Sequence, residues 1–289
     1  MNKMTIDDLD LRGKRVLVRV DFNVPLSPEG VVEDDTRIRA SLPTLQRIIE
    51  QNGCVVVMSH LGRPKSGYDP KLSLKPIAQK LKDLTHWQIK FAPDCIGPEV
   101  EAMVKELSGG EVLLLENLRF HPEEEQNSAE FAHALAQWGE VYVNDAFGAA
   151  HRAHASTHRI AQFFPGRAVA GYLMKQELDY LGSALTHPKR PFVAVLGGAK
   201  ISGKIDVLFN LLPRVDRLLV GGAMAFTFVK AQGGEVGDSL WEADRLEVAH
   251  QLLNHKEAHK IFLPLDVVAC QRDNFQERRI VPASAIPAG

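Results

Sequence analysis

The sequence predicts an α/β protein built from two parallel-sheet domains, and three observations indicate this class. Short apolar runs rich in β-branched residues alternate along the chain with segments that have apolar residues at helical spacing. Each apolar run ends in a cluster of Gly, Asn, Asp, His, Lys or Arg. The pattern restarts after Pro188 and Pro191, where we place a domain junction. Ligands of parallel sheets bind beyond the carboxyl ends of the strands, so these clusters hold the candidate functional residues.

The composition excludes several classes of protein. The chain has 289 residues, of which 45% are hydrophobic, enough for a sizeable core. Its 34 Lys and Arg nearly balance its 36 Asp and Glu, so nothing in the bulk charge favours nucleic acid or an anionic membrane. The three cysteines are far apart and have no metal-type spacing, which favours a reducing compartment. Without a secretory signal or a membrane-length apolar run, we expect a cytoplasmic protein.

The first half contains about six predicted strands and the second about three, fewer than an ordinary sheet has. The predicted strands are a run that begins at Arg15, then Cys54–Met58, Gln88–Phe91, Val112–Leu115, Val141–Val143, Ala168–Gly171, Phe192–Leu196, Arg217–Val220 and Ile261–Leu263. The predicted helical segments are 34–40, 43–50, 73–84, 99–107, 128–138, 173–185, 202–212 and 242–255. A polar stretch is expected from Asp266 to the end.

Six cationic or imidazole side chains follow strands or open helices in the first half, where a single sheet brings them to one face. They are Arg37, His60, Arg63, Arg119, His151 and Arg152. Any one alone is more often a surface cation, at odds of about two in three. Because arginine suits carboxylate and phosphate, the set favours a small polyanionic ligand. Asp21 and Asn23 would accept from its hydroxyl or orient the arginines.

The turn from Gly197 to Lys204 joins a strand to a helix, a place that favours phosphate binding. It lacks the hydroxyl of a true P-loop, because Ile205 stands at that position. Glycine alone is weak evidence here, but Lys200 and Lys204 are one helical turn apart. No nucleophilic triad stands out, and the acids at 123–125 are expected to face solvent. Phosphoryl transfer needs only positioning and positive charge from the protein.

Five stretches resemble the signatures of one family, phosphoglycerate kinase, over nearly the whole chain. They are Arg19–Pro25, Ser59–Pro64, Glu116–Phe120, Asp145–His154 and Gly197–Lys200. The resemblance implies two Rossmann-like parallel-sheet domains joined by a hinge helix, with the second domain incomplete. The expected division is an N-terminal substrate domain at 1–171, a hinge helix and linker at 172–190, and a partial nucleotide domain at 191–289.

The resemblance also implies roles for individual residues, with 3-phosphoglycerate and Mg-ATP or Mg-ADP as ligands of a monomeric enzyme. The implied substrate residues are Asp21, Phe22, Asn23, Arg37, His60, Leu61, Gly62, Arg63, Arg119 and Arg152. The implied nucleotide residues are Gly197, Gly198, Ala199, Lys200, Lys204, Gly221 and Gly222, with the turn at 221–226 against the adenosine. Arg37, Lys200 and Lys204 are the implied catalytic residues, and no metal ligand is assigned.

The chain departs from the family pattern at its end. The family's closing portion, with a Gly-Gly-Gly-Asp-Thr loop for phosphates and magnesium, has no counterpart before Gly289. We therefore expect a truncated member whose magnesium ligand lies in the missing segment. Two functions stay open: a reversible phosphoglycerate kinase, or a catalytically incompetent fragment that only binds 3-phosphoglycerate. A dinucleotide-dependent dehydrogenase is disfavoured, because no predicted strand is followed by G-x-G-x-x-G.

Overall fold

The computed structural model describes residues 3–65, 67–186, 188–271 and 274–288, which belong to two compact units. The first unit takes in 1–182 and the second 183–289. The division falls within a 15-residue helix, Tyr172–Thr186, which was expected as the hinge helix. Boundaries at 171 and 190 and a hinge role for this helix stay predictions.

A parallel sheet forms the centre of the first unit. Its described strands are β1 (Arg15–Arg19), β2 (Cys54–Met58), β3 (Ile89–Phe91), β4 (Val112–Leu114), β5 (Val141–Asn144) and β6 (Ala168–Ala170). They lie in the order β3-β4-β2-β1-β5-β6, and each neighbouring pair is parallel. Leu17 of β1 lies opposite Val56 and Tyr142. The predicted parallel α/β fold is confirmed.

Helices alternate with these strands along the chain, and several begin where their sequences favour a start. They are α1 (Thr36–Glu50), α2 (Lys75–Leu84), α3 (Pro98–Lys105), α4 (Ala129–Ala136), α5 (Phe147–Ala150) and α6 (Tyr172–Thr186). Pro76 and Pro98 lie in the first turns of α2 and α3, where a missing N–H costs nothing. Ser128 caps α4 by accepting from the Phe131 amide at 3.3 Å. The two segments predicted at 34–40 and 43–50 are one helix, because α1 continues through Pro43.

Side-chain alternation along β1 builds a core on each face of the sheet. Val16 and Val18 enter one hydrophobic cluster, and Leu17 enters the other. Arg19, next on the Leu17 face, is only 1% exposed. The first unit therefore buries an arginine at the carboxyl end of its central strand.

The second unit has a smaller parallel sheet, as its few predicted strands indicated. Its described strands are β7 (Val193–Gly197), β8 (Arg217–Gly221), β9 (Glu235–Val236), β10 (Ile261–Phe262), β11 (Asp266–Gln271), β12 (Asn274–Pro282) and β13 (Ala285–Ile286). The order β10-β8-β7 is parallel throughout. Its described helices are α7 (Ile205–Leu211), α8 (Met224–Ala231) and α9 (Leu246–Leu253).

Two expectations for the second unit were wrong. The segment from Asp266, expected as a polar stretch, contains the antiparallel pair β11 and β12. Its apolar residues Val268, Phe275 and Ile280 are 64–74% exposed, and apolar and polar residues do not alternate along its sequence as they do in a half-buried strand. The segment after Gly222, expected only as a turn, contains α8, whose Phe228 is fully buried.

No helix in the described part of the chain has both the length and the apolar character needed to cross a membrane.

Gly139 lies where the chain turns from α4 into β5, close to the central strand. A Cβ added there would lie 2.7 Å from Leu17 Cβ and 3.1 Å from Leu17 N. We expect Gly139→Ala to lower the free energy of unfolding by about 1–3 kcal/mol, because β1 has to shift. Denaturant unfolding measures this change.

Gly203→Ala is the matched control, because no heavy atom lies within 4 Å of its added Cβ. We expect it to leave stability unchanged or to raise it by up to about 1 kcal/mol. Equal effects at the two positions would contradict the packing explanation.

Candidate functional site

A cavity of about 300 Å³ lies at the carboxyl ends of four adjacent strands, β4, β2, β1 and β5. Its described lining is Asp21, Asn23, Arg37, His60, Gly62, Arg63, Arg119, Gly148, Ala149, His151, Arg152 and His154. All six cationic or imidazole side chains expected on this rim lie together here. The cavity therefore lies where the strand ends predicted it, while the role of each residue stays a prediction.

Acidic and amide side chains hold the entrance of this cavity. Arg37 is the second residue of α1, and its Nη1 lies 2.6 Å from Asp21 Oδ2. Asn23 Oδ1 accepts from the Gly62 amide at 2.9 Å. The segment after β1 is thereby tied to the segment after β2 and to the start of α1.

The arginines give the cavity an excess of positive charge. Arg119 Nη1 donates to the Gly62 carbonyl at 2.7 Å, and its Nε lies 3.0 Å from Glu125 Oε1. Burial lowers the pKa of the Arg119 guanidinium, which still remains charged at neutral pH. Arg63 and Arg152 are exposed, and neither forms an ion pair with an acid among the described residues. An anionic ligand would meet charges that the protein leaves unpaired.

Phe22 and Leu61 are expected substrate residues that the structure does not bring to the lining. Their side chains are 0% and 3% exposed and lie in the core. Their amides donate to Ser59 Oγ at 2.9 Å and Asn117 Oδ1 at 3.1 Å. Both residues shape the loops of the cavity from within, and a role in contacting substrate stays a prediction.

Gly148, Ala149 and His154 line the cavity but were not among the expected substrate residues. A Cβ at Gly148 would lie 2.8 Å from Asp21 Oδ2, so glycine keeps this wall clear. The signal was present, because Gly148 and His154 lie in the cluster after β5 that also contains His151 and Arg152.

A buried polar network lies beside His60, and it overturns one expectation. Glu124, expected to face solvent with its neighbours, is 0% exposed. Its carboxylate accepts from Ser156 Oγ at 2.5 Å and from the Ser156 amide at 2.9 Å. Ser156 Oγ in turn accepts from Arg19 Nε at 2.8 Å. Arg19 also donates to the Val20 carbonyl, and its Nη2 lies 3.1 Å from His60 Nδ1.

Burial makes His60 a neutral imidazole. Desolvation, followed by the nearby charges of Arg19 and Arg119, lowers the pKa of His60 to about 2. Desolvation also lowers the pKa of His154, which is 8% exposed. The arginines therefore supply the positive charge of this cavity, and His60 supplies an uncharged polar group.

The expected nucleotide residues of the second unit lie on two facing turns. Gly198, after β7, has φ +149°, and Gly222, after β8, has φ +67°. A Cβ at Gly222 would lie 2.8 Å from the Gly198 nitrogen, so this approach requires glycine. Lys200 is exposed, and Lys204 Nζ would lie 2.9 Å from a Cβ at Gly198. The two lysines thus follow Gly197 and Gly198 in the chain, where the backbone closely approaches Gly221 and Gly222.

The expectation that the helix start after this turn is open to phosphate needs correction. Glu242 Oε2 accepts from the amides of Ile201 at 2.5 Å and Ser202 at 3.1 Å. Burial opposes ionisation of Glu242, but its hydrogen bonds with Ser202 and Ile201 and the charge of Lys200 together lower its pKa. A carboxylate of this chain already occupies those two amides, while nucleotide binding by 197–200, Lys204, Gly221 and Gly222 stays a prediction.

One group of metal-type side chains occurs among the described residues, namely Asp94, Cys95 and His121. Asp94 Oδ1 lies 2.6 Å from His121 Nε2, and Cys95 Sγ donates to the Glu116 carbonyl at 2.9 Å. Burial raises the pKa of the Cys95 thiol well above its usual value. Each ligand atom therefore has a partner within the chain, and these contacts account for the grouping.

The first α/β unit has an arginine-lined cavity, and the second has a glycine turn that carries two lysines. This combination is typical of a phosphotransferase. The sequence profile of "Phosphoglycerate kinase" matches residues 6–289. The phosphoglycerate kinase of Chloroherpeton thalassium is 56% identical over 94% of this chain and 68% of its own length. That of Desulforudis audaxviator is 55% identical over 100% of this chain and 74% of its own length.

Solved structures agree with these relatives. The phosphoglycerate kinase of Coxiella burnetii matches with a TM-score of 0.79 at 38% identity, over 99% of this chain and 72% of that one. The enzyme of Pyrococcus horikoshii matches with a TM-score of 0.84 at 29% identity, over 98% and 72%.

The chain belongs to the phosphoglycerate kinase family. Its activity is reversible phosphoryl transfer between 1,3-bisphosphoglycerate with ADP and 3-phosphoglycerate with ATP, a step of glycolysis. The comparisons do not favour the alternative of a fragment that only binds 3-phosphoglycerate. The chain spans about 70% of the length of these relatives.

The buried Glu124 gives a test of the network behind the cavity. We expect Glu124→Ala to lower the free energy of unfolding by about 3–5 kcal/mol, because Arg19 keeps its charge and loses the acid that balances it. Glu123→Ala, at an exposed neighbour, should change stability by less than about 0.5 kcal/mol. If denaturant unfolding shows similar small losses of stability at both positions, Glu124 faces solvent and does not balance Arg19.

His60 gives a test by pH. The unfolded chain protonates this imidazole below its usual pKa of 6.5, whereas the folded chain does so only near 2, so acid favours unfolding over that window. Between pH 7 and pH 5, His60→Gln should lose about 2 kcal/mol less stability than the unsubstituted chain.

His133→Gln, at an exposed histidine of α4, is the control and should follow the unsubstituted chain. Parallel stability curves for His60→Gln and the unsubstituted chain would show that His60 titrates normally when folded.

Proposed function

We propose that the arginine-lined cavity binds 3-phosphoglycerate and that the lysine turn of the second unit binds the nucleotide phosphates. The observation that carries this assignment is the charge of the lining, where Arg37, Arg63, Arg119 and Arg152 accompany a single carboxylate, Asp21, among the described residues. A volume of about 300 Å³ lies at the lower end of the range of small-molecule sites. The ligand matches because it carries a phosphate and a carboxylate on three carbons.

The lining divides into charged and uncharged contacts. Arg63, Arg119 and Arg152 hold the two anionic groups, since a guanidinium donates two parallel hydrogen bonds to a carboxylate or phosphate. Asp21 accepts from the ligand hydroxyl, and Asn23 keeps the Gly62 amide in place. His60 contributes an N–H donor. Each contact restrains the ligand and so reduces the entropic cost of reaching the transferring geometry.

Arg37 is the proposed catalytic residue of the cavity. Its Nη1 contact with Asp21 at 2.6 Å orients a half-exposed side chain that no other described acid pairs with. Charge spreads over the phosphoryl oxygens during transfer, and a guanidinium placed beside them stabilises that state. Lys200 and Lys204 provide the corresponding charge for the nucleotide phosphates. The substrates themselves provide the nucleophile and leaving group.

We propose that the nucleotide enters as its magnesium complex, in which the ion neutralises phosphate charge. Near the lysine turn, the described residues include no group of three His, Cys, Asp or Glu ligand atoms within reach of one ion. Asp206 is exposed on α7. The residues at hand do not fit a magnesium site, so no step of the mechanism passes through the ion.

We further propose a cytoplasmic monomer. The free cysteines Cys54, Cys95 and Cys270 support a reducing compartment. The monomeric state follows from the family resemblance alone, and light scattering of the purified chain tests it.

Arginine substitutions test the ligand of the cavity. We expect Arg63→Ala and Arg119→Ala each to weaken 3-phosphoglycerate binding about 10- to 150-fold, because each removes charge-assisted hydrogen bonds worth about 1.5–3 kcal/mol. Nucleotide affinity should stay the same. Calorimetric titration measures both affinities, with Arg12→Ala as the control at an exposed arginine outside the cavity. Unchanged 3-phosphoglycerate affinity in both variants would remove the assignment.

Arg37 is tested by kinetics. If it stabilises charge that develops only during transfer, Arg37→Ala should lower kcat by as much as about 10³-fold with a smaller change in KM. Arg39→Ala is a matched control, because Arg39 lies on the same helix but pairs with Asp35 at 2.8 Å. A loss confined to KM in a coupled ATP assay would make Arg37 a binding residue only.

A further inference from the structure

The buried polar network ends at His60, which lines the cavity. Arg19, Ser156 and Glu124 are at most 1% exposed, and His60 is 7% exposed. The direction of each hydrogen bond follows from chemistry. Arg19 has only donors, so Ser156 Oγ accepts from Arg19 Nε and gives its own proton to Glu124. The chain therefore runs from a cation through a hydroxyl to a carboxylate.

The guanidinium of Arg19 also determines the tautomer of His60. Its Nδ1 lies 3.1 Å from Arg19 Nη2, which cannot accept a hydrogen bond. Nδ1 must therefore be the acceptor, and a neutral imidazole that accepts at Nδ1 carries its proton on Nε2. No described residue forms a hydrogen bond with His60 Nε2, although the side chain lines the cavity. Nε2 is left for a ligand.

The charges that face His60 support a neutral ring. Arg19, Arg37 and Arg119 are the nearby cations, and His154 is a further imidazole close by. One acid faces it at a distance, with Asp21 Oδ1 4.0 Å from Nδ1. A proton on Nδ1 would replace the bond from Arg19 by a repulsive contact between two donors.

We propose that Arg19 is a positioning residue that fixes His60 as a neutral Nε2–H donor to an anionic group of the ligand. Glu124, acting through Ser156, balances the charge of Arg19 and holds its guanidinium in the orientation that reaches His60. Arg19 itself does not line the cavity, so its effect on the ligand passes through His60. The inference rests on the proposed function only for the identity of that ligand.

The first experiment reads the tautomer directly in the unliganded 289-residue chain. Long-range ¹H–¹⁵N correlation with ¹⁵N-labelled histidine should show His60 with a bare Nδ1 and a protonated Nε2. The His60 signals should stay the same from pH 8 to pH 5.5, because neither the arginines nor a buried neutral His60 titrates in that range. A proton on Nδ1, or an imidazolium at pH 5.5, overturns the inference.

The second experiment separates positioning from charge and from folding. Arg19→Lys keeps the charge, but one ammonium cannot reproduce the fork that reaches both Ser156 and His60. We expect mixed His60 tautomers and about tenfold weaker 3-phosphoglycerate binding. Arg15→Lys, at the other end of β1 and on the same face, should change neither. His60→Ala should weaken binding much less in the Arg19→Lys background than alone, because the two residues act as one contact.

The outcomes distinguish the inference from the proposed function. If the unsubstituted chain fails to bind 3-phosphoglycerate, the proposed function falls, while the tautomer spectrum still decides the role of Arg19. If binding is normal and Arg19→Lys leaves both the tautomer and the affinity unchanged, positioning by Arg19 is excluded. Should Arg19→Lys fail to fold, the spectrum of the unsubstituted chain carries the test.

Discussion

The first unit depends on neutralising one buried positive charge. A guanidinium away from water is costly unless several partners compensate it, and Arg19 finds them on segments distant in sequence. Glu124 lies beyond β4, Ser156 beyond β5 and His60 beyond β2. These are the same connecting segments that carry Arg119, Arg152 and Arg63 to the cavity. Folding around Arg19 therefore also fixes the loops that recognise the anion.

The cavity carries a second electrostatic constraint, because its cations repel one another. Arg37 is partly neutralised by Asp21 and Arg119 by Glu125, but Arg63 and Arg152 face no described acid. Such unpaired like charges cost stability in the empty protein and attract an oppositely charged partner. A ligand with two anionic groups removes this repulsion when it binds. Binding should therefore stabilise the first unit, and salt should weaken both effects.

Local sequence patterns predicted the scaffold and the position of the cavity. Five-residue apolar runs such as Cys54–Met58 indicate a buried parallel strand, and the carboxyl ends of such strands meet at one edge of the sheet. What the sequence left undecided depends on distant partners. Three consecutive glutamates give no sign that only Glu124 is buried, since its partner Ser156 lies 32 residues away. Glu242 likewise caps amides about 40 residues away, which no local pattern reveals.

The other features that the sequence did not predict also depend on burial in the folded chain. Strands β11 and β12 pair with each other and leave several apolar side chains exposed, and apolar and polar residues do not alternate along either sequence. Family signatures named Phe22 and Leu61, but a signature does not separate residues that touch a ligand from those that shape its loop. Burial makes that distinction, and burial is a property of the folded chain.

Charge and direction are supplied by different side chains at this site. The arginines keep their charge at any ordinary pH, whereas His60 is held neutral by burial and by the guanidinium at its Nδ1. An imidazolium would add attraction but would also add a titration near neutrality and repulsion toward Arg19. A neutral N–H gives a directed contact without either cost. A phosphate monoester loses its second proton near pH 6. Across that range, a change in ligand affinity that involves the His60 contact therefore reflects ionisation of the ligand rather than of the imidazole.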